Sequence, residues 1–423
     1  MPSRPFNEQL YAQFWPISTE TGAPGVFLNQ CSGAKMAPTA LLTHVKQPML
    51  KRRSREIASE GVIKAQEWIG GQDKPVVESK ILAFQNALNT CTSRQELDSV
   101  LAENIRPCSF RPFVNSNALL WGTIFDYQAG IGGGGARVRP EIKAVYDLPD
   151  TVGFSLAHAP KDLDESLGQF TSFCWYFPDN DLSRRGNGHI YLNHYIRDVH
   201  TNAVINNIHQ SLIERYSALT GLDDSECAKK MVFYSYAVFC SQVYLEEFYG
   251  ALFVVNQSES RARIPIVDDA GLFLRLAELG ERLAILEKND AAVDNVLDFN
   301  YDELLAQMWT GFHLEHSRSA SRSPYDEENE QLIVRDEVTG NSIRIYCPVS
   351  LQKFTIAGYN VIKDCWLKFH SYRFTHCDFT RDDLKELLDL FNKIASQMGI
   401  VSEIDEIMHS IVGGEVALLN YND

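Results

Sequence analysis

The sequence predicts an α+β fold: a helical N-terminal segment, a β-rich module, and a helical C-terminal half with an inserted β-hairpin. Three observations predict it. Apolar residues recur at helical spacing over residues 75–104 and again from about residue 225. Between these stretches, residues 105–195 carry short aromatic and β-branched runs broken by Gly, Pro and Asn, which read as strands joined by loops. Near the C-terminus, Gln331–Val338 and Ser342–Cys347 flank Thr339-Gly340-Asn341 as the arms of a hairpin. With 423 residues, 45% hydrophobic and 22% charged, the chain can bury sizeable cores without disulfides and lacks the composition of a disordered protein.

In chain order, Val76, Val77, Ile81, Leu82, Phe84, Ala87 and Leu88 form the apolar stripe of one helix. Leu97, Val100 and Leu101 form that of a second, behind the capping pair Thr92-Ser93. Ala118–Phe125, Thr151–Leu156 and Phe170–Phe177 read as strands. The helical period returns in Met231, Tyr234, Ala237, Val238, Val243, Leu245, Phe248 and Leu252, then in Phe273, Leu276, Ala277, Leu283 and Leu286. Residues 316–330, rich in Ser, Arg, Asp and Glu, read as a linker. Beyond the hairpin, Thr380 caps a helix with Asp382 and Asp383 in its first turn and Leu384, Leu387, Leu388, Phe391, Ile394 and Met398 on one face. A further helix is expected over Ser402–Val412. The expected segments are 1–104 with a basic cluster and helices, 105–200 as the β-rich module, 201–315 as a helical domain, 316–330 as the linker, and 331–423 as hairpin and helices.

Charge is unevenly spread. The formal net charge of −16 argues against a protein held to nucleic acid by its overall charge. Yet residues 35–64 hold seven Lys/Arg against two Glu, whereas residues 264–340 hold six against seventeen Asp/Glu, so the first half can present a basic face. The acidic half is then suited to a protein partner. Nine cysteines with no C-x-x-C pair fit a reduced, intracellular chain. No run of 18 apolar residues occurs and no apolar stretch follows the first residues, so the cytoplasm is the expected location, with no membrane partner.

Motifs with local chemistry are few. Gly130–Gly135 satisfies G-x-G-x-x-G, but Pro140 would interrupt the helix that such a nucleotide loop needs, and a flexible strand connection is the plainer reading. Asp73 with Glu78 and Lys80 mimics the carboxylates and lysine of a metal-dependent nuclease, although the segment reads as a loop entering a solvated helix. His313 and His316 would share a helical face at i, i+3, with no second ligand pair of diagnostic spacing. There is no P-loop, no Asn/Asp-Pro-Pro-Tyr/Phe tetrapeptide and no nucleophile elbow. No catalytic, cofactor-binding or metal-binding residue is therefore assigned.

Four basic clusters remain: Lys51, Arg52, Arg53 and Arg55; Arg137 and Arg139; Arg184 and Arg185 with Asn187; and Arg261 with Arg263. Each alone reads as solvated surface. Together, on a β-rich module with Asn and Gly in its loops, they support a nucleic-acid surface on which lysines and arginines position the duplex and loop side chains read base edges. Arg111 leaves two readings open, a DNA contact or a side chain that locks a strand turn.

The order of several motifs adds a resemblance. Ser32-Gly33-Ala34-Lys35, Phe110-Arg111-Pro112-Phe113 with Leu120-Trp121, and Arg137-x-Arg139-Pro140 occur in turn. They are followed by Tyr236–Ser241, Tyr244, Phe248, Arg263-Ile-Pro-Ile266, Leu272-Phe273 and Leu279-Gly280-x-x-Leu283. Gly358-Tyr359, Val361-Ile362, Trp366-Leu367-Lys368 and Ile404-Asp405-Glu406-Ile407 complete the series. The set, across about residues 25–410, resembles the C-terminal target-recognition region of type ISP restriction-modification enzymes and related adenine-specific DNA methyltransferases. Val114-Asn115-Ser116-Asn117 departs from it, standing where that family typically has an acidic residue and an arginine. The resemblance implies a specificity module that recognises double-stranded DNA for a restriction-modification or phage-defence complex, with catalysis supplied by a partner methyltransferase or restriction subunit. The alternatives are a divergent methyltransferase or nuclease, and a scaffold that binds only protein.

Overall fold

The computed structural model describes residues 7–19, 24–30, 33–34, 36, 39–69, 78–122, 150–159, 168–179, 182, 188–197, 201, 203–252, 262–288, 291–316 and 323–419. Strand β1 (Trp15–Pro16) and a helical turn at Thr39–Leu42 precede β2 (Thr43–His44) and helix α1 (Gln47–Ile69). Helix α1 kinks at Gly61, whose φ of +75° suits glycine and strains other residues. Helices α2 (Glu78–Leu88) and α3 (Arg94–Asn104) follow, and the Ser93 hydroxyl caps α3 by accepting from the Glu96 N–H at 3.1 Å. Glu78 and Lys80 lie in the first turn of α2, with Glu78 exposed; Asp73 lies outside the described residues.

The expected β-rich module forms two sheets. Strands β3 (Ile105–Arg111) and β4 (Val114–Leu119) make a hairpin; β5 (Gly153–Ala159), β6 (Thr171–Cys174), β7 (Phe177–Pro178) and β8 (Gly188–Asn193) follow. One sheet has the order β2-β4-β3-β7 and the other β6-β5-β8. Strand β7 runs parallel to β3, pairing Cys108 with Phe177, and every other ladder in the two sheets is antiparallel.

Helices α4 (Gln210–Thr220), α5 (Asp224–Cys240), α6 (Gln242–Leu252) and α7 (Ala270–Leu286) build the next layer. Every residue of α5 from Met231 to Cys240 is buried, the mark of a helix surrounded on all sides. The β6-β5-β8 sheet covers one flank through Phe173 stacked on Phe233 (5.4 Å, 14°) and Phe170 edge-on to Phe239 (5.5 Å). Helix α7 covers another flank, and Gly280 permits the approach: a Cβ there would lie 2.0 Å from the Phe233 carbonyl oxygen and 3.2 Å from the Ala237 Cβ. Gly280→Ala should therefore lower the thermal midpoint, by an amount equivalent to about 1–3 kcal/mol of overpacking, even though alanine is the better helix former. The control is Gly399→Ala in the last helix, where nothing lies within 4 Å of an added Cβ and stability should rise. Parallel thermal melts showing the same sign for both variants would overturn the close-approach reading.

In the C-terminal part, strands β9 (Tyr325–Asp326), β10 (Gln331–Arg335) and β11 (Ser342–Tyr346) form a three-stranded sheet whose hairpin turns as expected around Gly340, at φ +71°. Asp336 holds the turn by accepting from the Val338 and Thr339 N–H groups at 2.8 and 3.0 Å. Thr380 caps helix α8 (Arg381–Val412) in a capping box with Asp383. Among the differences from the sequence reading, the expected strand Phe170–Phe177 is broken into β6 and β7, and Leu82, expected on the stripe of α2, is 41% exposed; three more lie in this part. Helix α8 is one helix, not two, because Ile400, Val401 and Ile404 continue its buried stripe past Gly399 and outweigh the modest helix cost of that glycine. Met398 is 37% exposed and lies off the apolar face. The stretch read as a linker contains strand β9, and His316 at its start is buried.

Among the described residues a buried cluster runs from Leu10 to Ile411, and contacts tie distant segments together. Strand β2 joins the sheet of β4, and Gln397 of α8 donates to the Gln169 amide oxygen at 2.8 Å. Among the described residues no helix is long and apolar enough to cross a membrane.

Candidate nucleic-acid interface

The first basic cluster occupies the opening turns of α1, and helical geometry sorts its members. Buried positions on α1 fall at Leu50, Arg53, Ser54, Ile57 and Gly61, the three- and four-residue spacing of an inward stripe. Arg53 is on that stripe and only 2% exposed; its Nη2 donates to the carbonyls of Leu41 (3.3 Å) and Thr43 (2.7 Å). Burial removes it from any phosphate-contacting set, a correction that its spacing from Leu50 and Ile57 already implied. Arg52, with 62% of its side chain exposed, pairs with Glu56 at 2.7 Å, and Arg55 pairs with Asp98 at 2.6 Å. Lys51 lies half-buried beside them. Exposed ion pairs are weak and salt-screened, so Arg52 and Arg55 can exchange their carboxylates for phosphates.

Arg111 is built into the fold. Pro112 and Phe113 form the turn between β3 and β4, with Phe113 at φ +59°, a strained conformation offset by burial of its ring. The Arg111 side chain is 8% exposed, donates to the Phe110 carbonyl, and meets Asp179 at 3.3 Å. Its guanidinium lies 4.1 Å from the Phe110 ring centroid, with Phe369 and Tyr359 at 5.4 and 5.7 Å. Of the two readings left open for Arg111, this geometry favours the lock. Asp179, the residue the lock requires, carries no local sequence signature and was missed. Arg263 is half-buried at the sheet edge facing β1, where its Nη1 donates to the Phe14 carbonyl at 3.2 Å. Arg137, Arg139, Arg184, Arg185, Asn187 and Arg261 lie outside the described residues, as does the Gly130–Gly135 run.

A second buried polar centre joins the sheet to the helices. The Glu287 carboxylate, at the end of α7, accepts from the Ser172 hydroxyl (2.6 Å), the Phe173 N–H (3.0 Å) and the Tyr236 hydroxyl. Burial pushes its pKa up to about 7 despite these donors, which act in the opposite direction. Glu287 is 4% exposed, so its carboxylate faces the interior. The histidines expected on a helix sit in irregular chain instead: His313 stacks on Tyr372 and meets Asp378 at 3.3 Å, while His316 stacks on Phe374. Among the described residues no group of three His, Cys, Asp or Glu side chains is placed to hold a metal.

A family model described as the Type ISP C-terminal specificity domain matches residues 26–393, most of the chain. The chain belongs to this family. No curated protein matches it. The specificity domain is similar in fold to the ATP-dependent Type ISP restriction-modification enzyme LlaBIII solved bound to DNA, with TM-score 0.55 and 14% identity over 95% of this chain and 24% of that one. It is likewise similar to DrdV in a DrdV–DNA complex, with TM-score 0.54 and 15% identity over 97% of this chain and 39% of that one. The specificity domain thus spans about a quarter of LlaBIII and two fifths of DrdV.

Among the described residues, several motifs that carried the resemblance act as pins of the specificity domain. A Cβ on Gly33 would lie 2.6 Å from the Tyr191 ring, and the Ala34 N–H donates to the Pro178 carbonyl at 2.8 Å, beside Asp179. Asp405 of α8 accepts from the Ser241 hydroxyl (2.6 Å) and the Val243 N–H (3.2 Å), capping α6 from outside. Trp366 stacks on His370 at 4.0 Å.

Proposed function

We propose that this specificity domain recognises a DNA sequence for a restriction-modification or phage-defence complex, with methylation or cleavage supplied by another chain or another region. The observation that carries the proposal is the specificity-domain match over residues 26–393; the presence of DNA in the LlaBIII and DrdV structures supports it. Loop side chains carried on a rigid scaffold are the usual readers of base edges. Arg137, Arg139, Arg184, Arg185 and Asn187 are the proposed readers, with Lys51, Arg52 and Arg55 as phosphate contacts and Arg261 and Arg263 as further proposed DNA contacts. The acidic stretch 264–340 is the proposed contact with a methyltransferase or restriction subunit, and the cytoplasm the proposed location.

Binding titrations at several salt concentrations, with a selected site and a scrambled duplex, test this reading. Neutralising Lys51, Arg52 and Arg55 should weaken both duplexes alike, and the slope of log affinity against log salt should fall by about 0.9 for each phosphate no longer neutralised. Replacing a base-reading side chain should instead erase about 1–3 kcal/mol of preference for the selected site. If the wild-type chain, with its partner present, shows no salt-dependent duplex binding, the DNA assignment fails.

A further inference from the structure

Arg53 poses an electrostatic problem that the interface does not use. It is enclosed by the Thr39–Leu42 turn, β2 and the sheet, and burial pulls its pKa down to about 9, with no carboxylate contributing among the described residues. The guanidinium is therefore still charged at neutral pH. Its two hydrogen bonds go to neutral carbonyls at the end of the Thr39–Leu42 turn, and Nε has no hydrogen-bond partner among the described residues. An unpaired buried charge is among the most unfavourable features a core can hold.

Among the described residues, the neighbouring groups leave the charge uncompensated. His44 is neutral: its Nδ1 accepts from the Lys46 N–H at 2.8 Å and its Nε2 faces the Thr375 carbonyl at 3.2 Å, while burial and Arg53 hold its pKa down near 3. Lys46 is committed to Asp383 at 3.0 Å. Beside Arg53 lies a cavity of about 20 Å³, lined also by Thr39, His44, Phe110, Ser116 and Phe369. Such a volume admits one small occupant. The Ser116 hydroxyl makes only a long 3.5 Å contact to the Asn117 carbonyl, so it can turn and donate to an occupant.

We propose that this cavity is an internal anion site, in which one monovalent anion of chloride size sits against the Arg53 guanidinium with the Ser116 hydroxyl as second donor. Charge favours an anion over water, because water satisfies the Nε donor but leaves the cation unneutralised. The site does not rest on the DNA proposal, since Arg53 is buried and is not among the proposed phosphate contacts.

Two measurements on the full chain decide the matter. Crystals grown with sodium bromide should show an anomalous peak within hydrogen-bonding distance of Arg53 Nε, and a peak explained by ordered water with no bromide signal would overturn the site. In thermal melts at constant ionic strength, the midpoint should rise saturably as chloride or bromide replaces gluconate. That rise should vanish in Arg53→Met and weaken in Ser116→Ala. An equal rise in wild type and Arg53→Met would show a general salt effect and defeat the proposal. Should Arg53→Met fail to fold, the bromide diffraction on wild type decides alone.

Discussion

Arg111→Met is expected to destabilise the protein by about 3–5 kcal/mol, the usual consequence of removing one partner from a buried ion pair. Asp179 is 2% exposed, so it keeps its burial when the guanidinium facing it is removed. Methionine retains much of the packing against Phe110, Tyr359 and Phe369, which confines the loss to charge and cation–π attraction. Adding Asp179→Asn to Arg111→Met should recover part of the lost stability, because the side chain facing the removed guanidinium is then neutral. Urea unfolding midpoints for the wild type, the two single variants and the double variant measure the coupling. A loss below about 1 kcal/mol for Arg111→Met would mean that Arg111 is not a structural lock. Were DNA affinity instead to fall while stability held, Arg111 would belong with the phosphate contacts.

The second large effect is one of pH. Glu287 has its pKa raised to about 7 in the folded protein, against an ordinary value of 4.5, because burial disfavours the carboxylate. A group whose folded pKa is raised contributes stability that is fully present below the unfolded pKa and lost as pH rises through the folded one. Relative to Glu287→Gln, the wild type should therefore lose about 3 kcal/mol as pH rises from about 4.5 to above 7, and little beyond. Taking the difference from Glu287→Gln cancels the other titrating groups that both proteins share. Denaturation series at half-unit pH steps supply the two curves. Parallel curves across this window would show that the Ser172, Phe173 and Tyr236 donors keep the carboxylate ionised throughout.

Local chemistry alone determined the α+β class, the hairpin around Thr339-Gly340-Asn341, the Ser93 and Thr380 caps, and the apolar stripes of α3, α5, α7 and α8. Each depends on residues within a few positions of one another, where hydrogen bonds and side-chain spacing are set by the backbone itself. The burial of Arg53 was equally legible, in its spacing from Leu50 and Ile57, but its charge invited a surface reading. Family membership was legible from ordered motifs whose roles were not: Gly33, Tyr236, Gly280 and Asp405 are pins between elements. Only the tertiary structure decided that Arg111 meets Asp179 across 68 residues of chain, or that Glu287 meets Ser172 across 115. Such partners are chosen by how sheets and helices stack, and the low dielectric of the resulting interior then decides which charges pair, which shift their pKa, and which, like Arg53, are left to find a counterion.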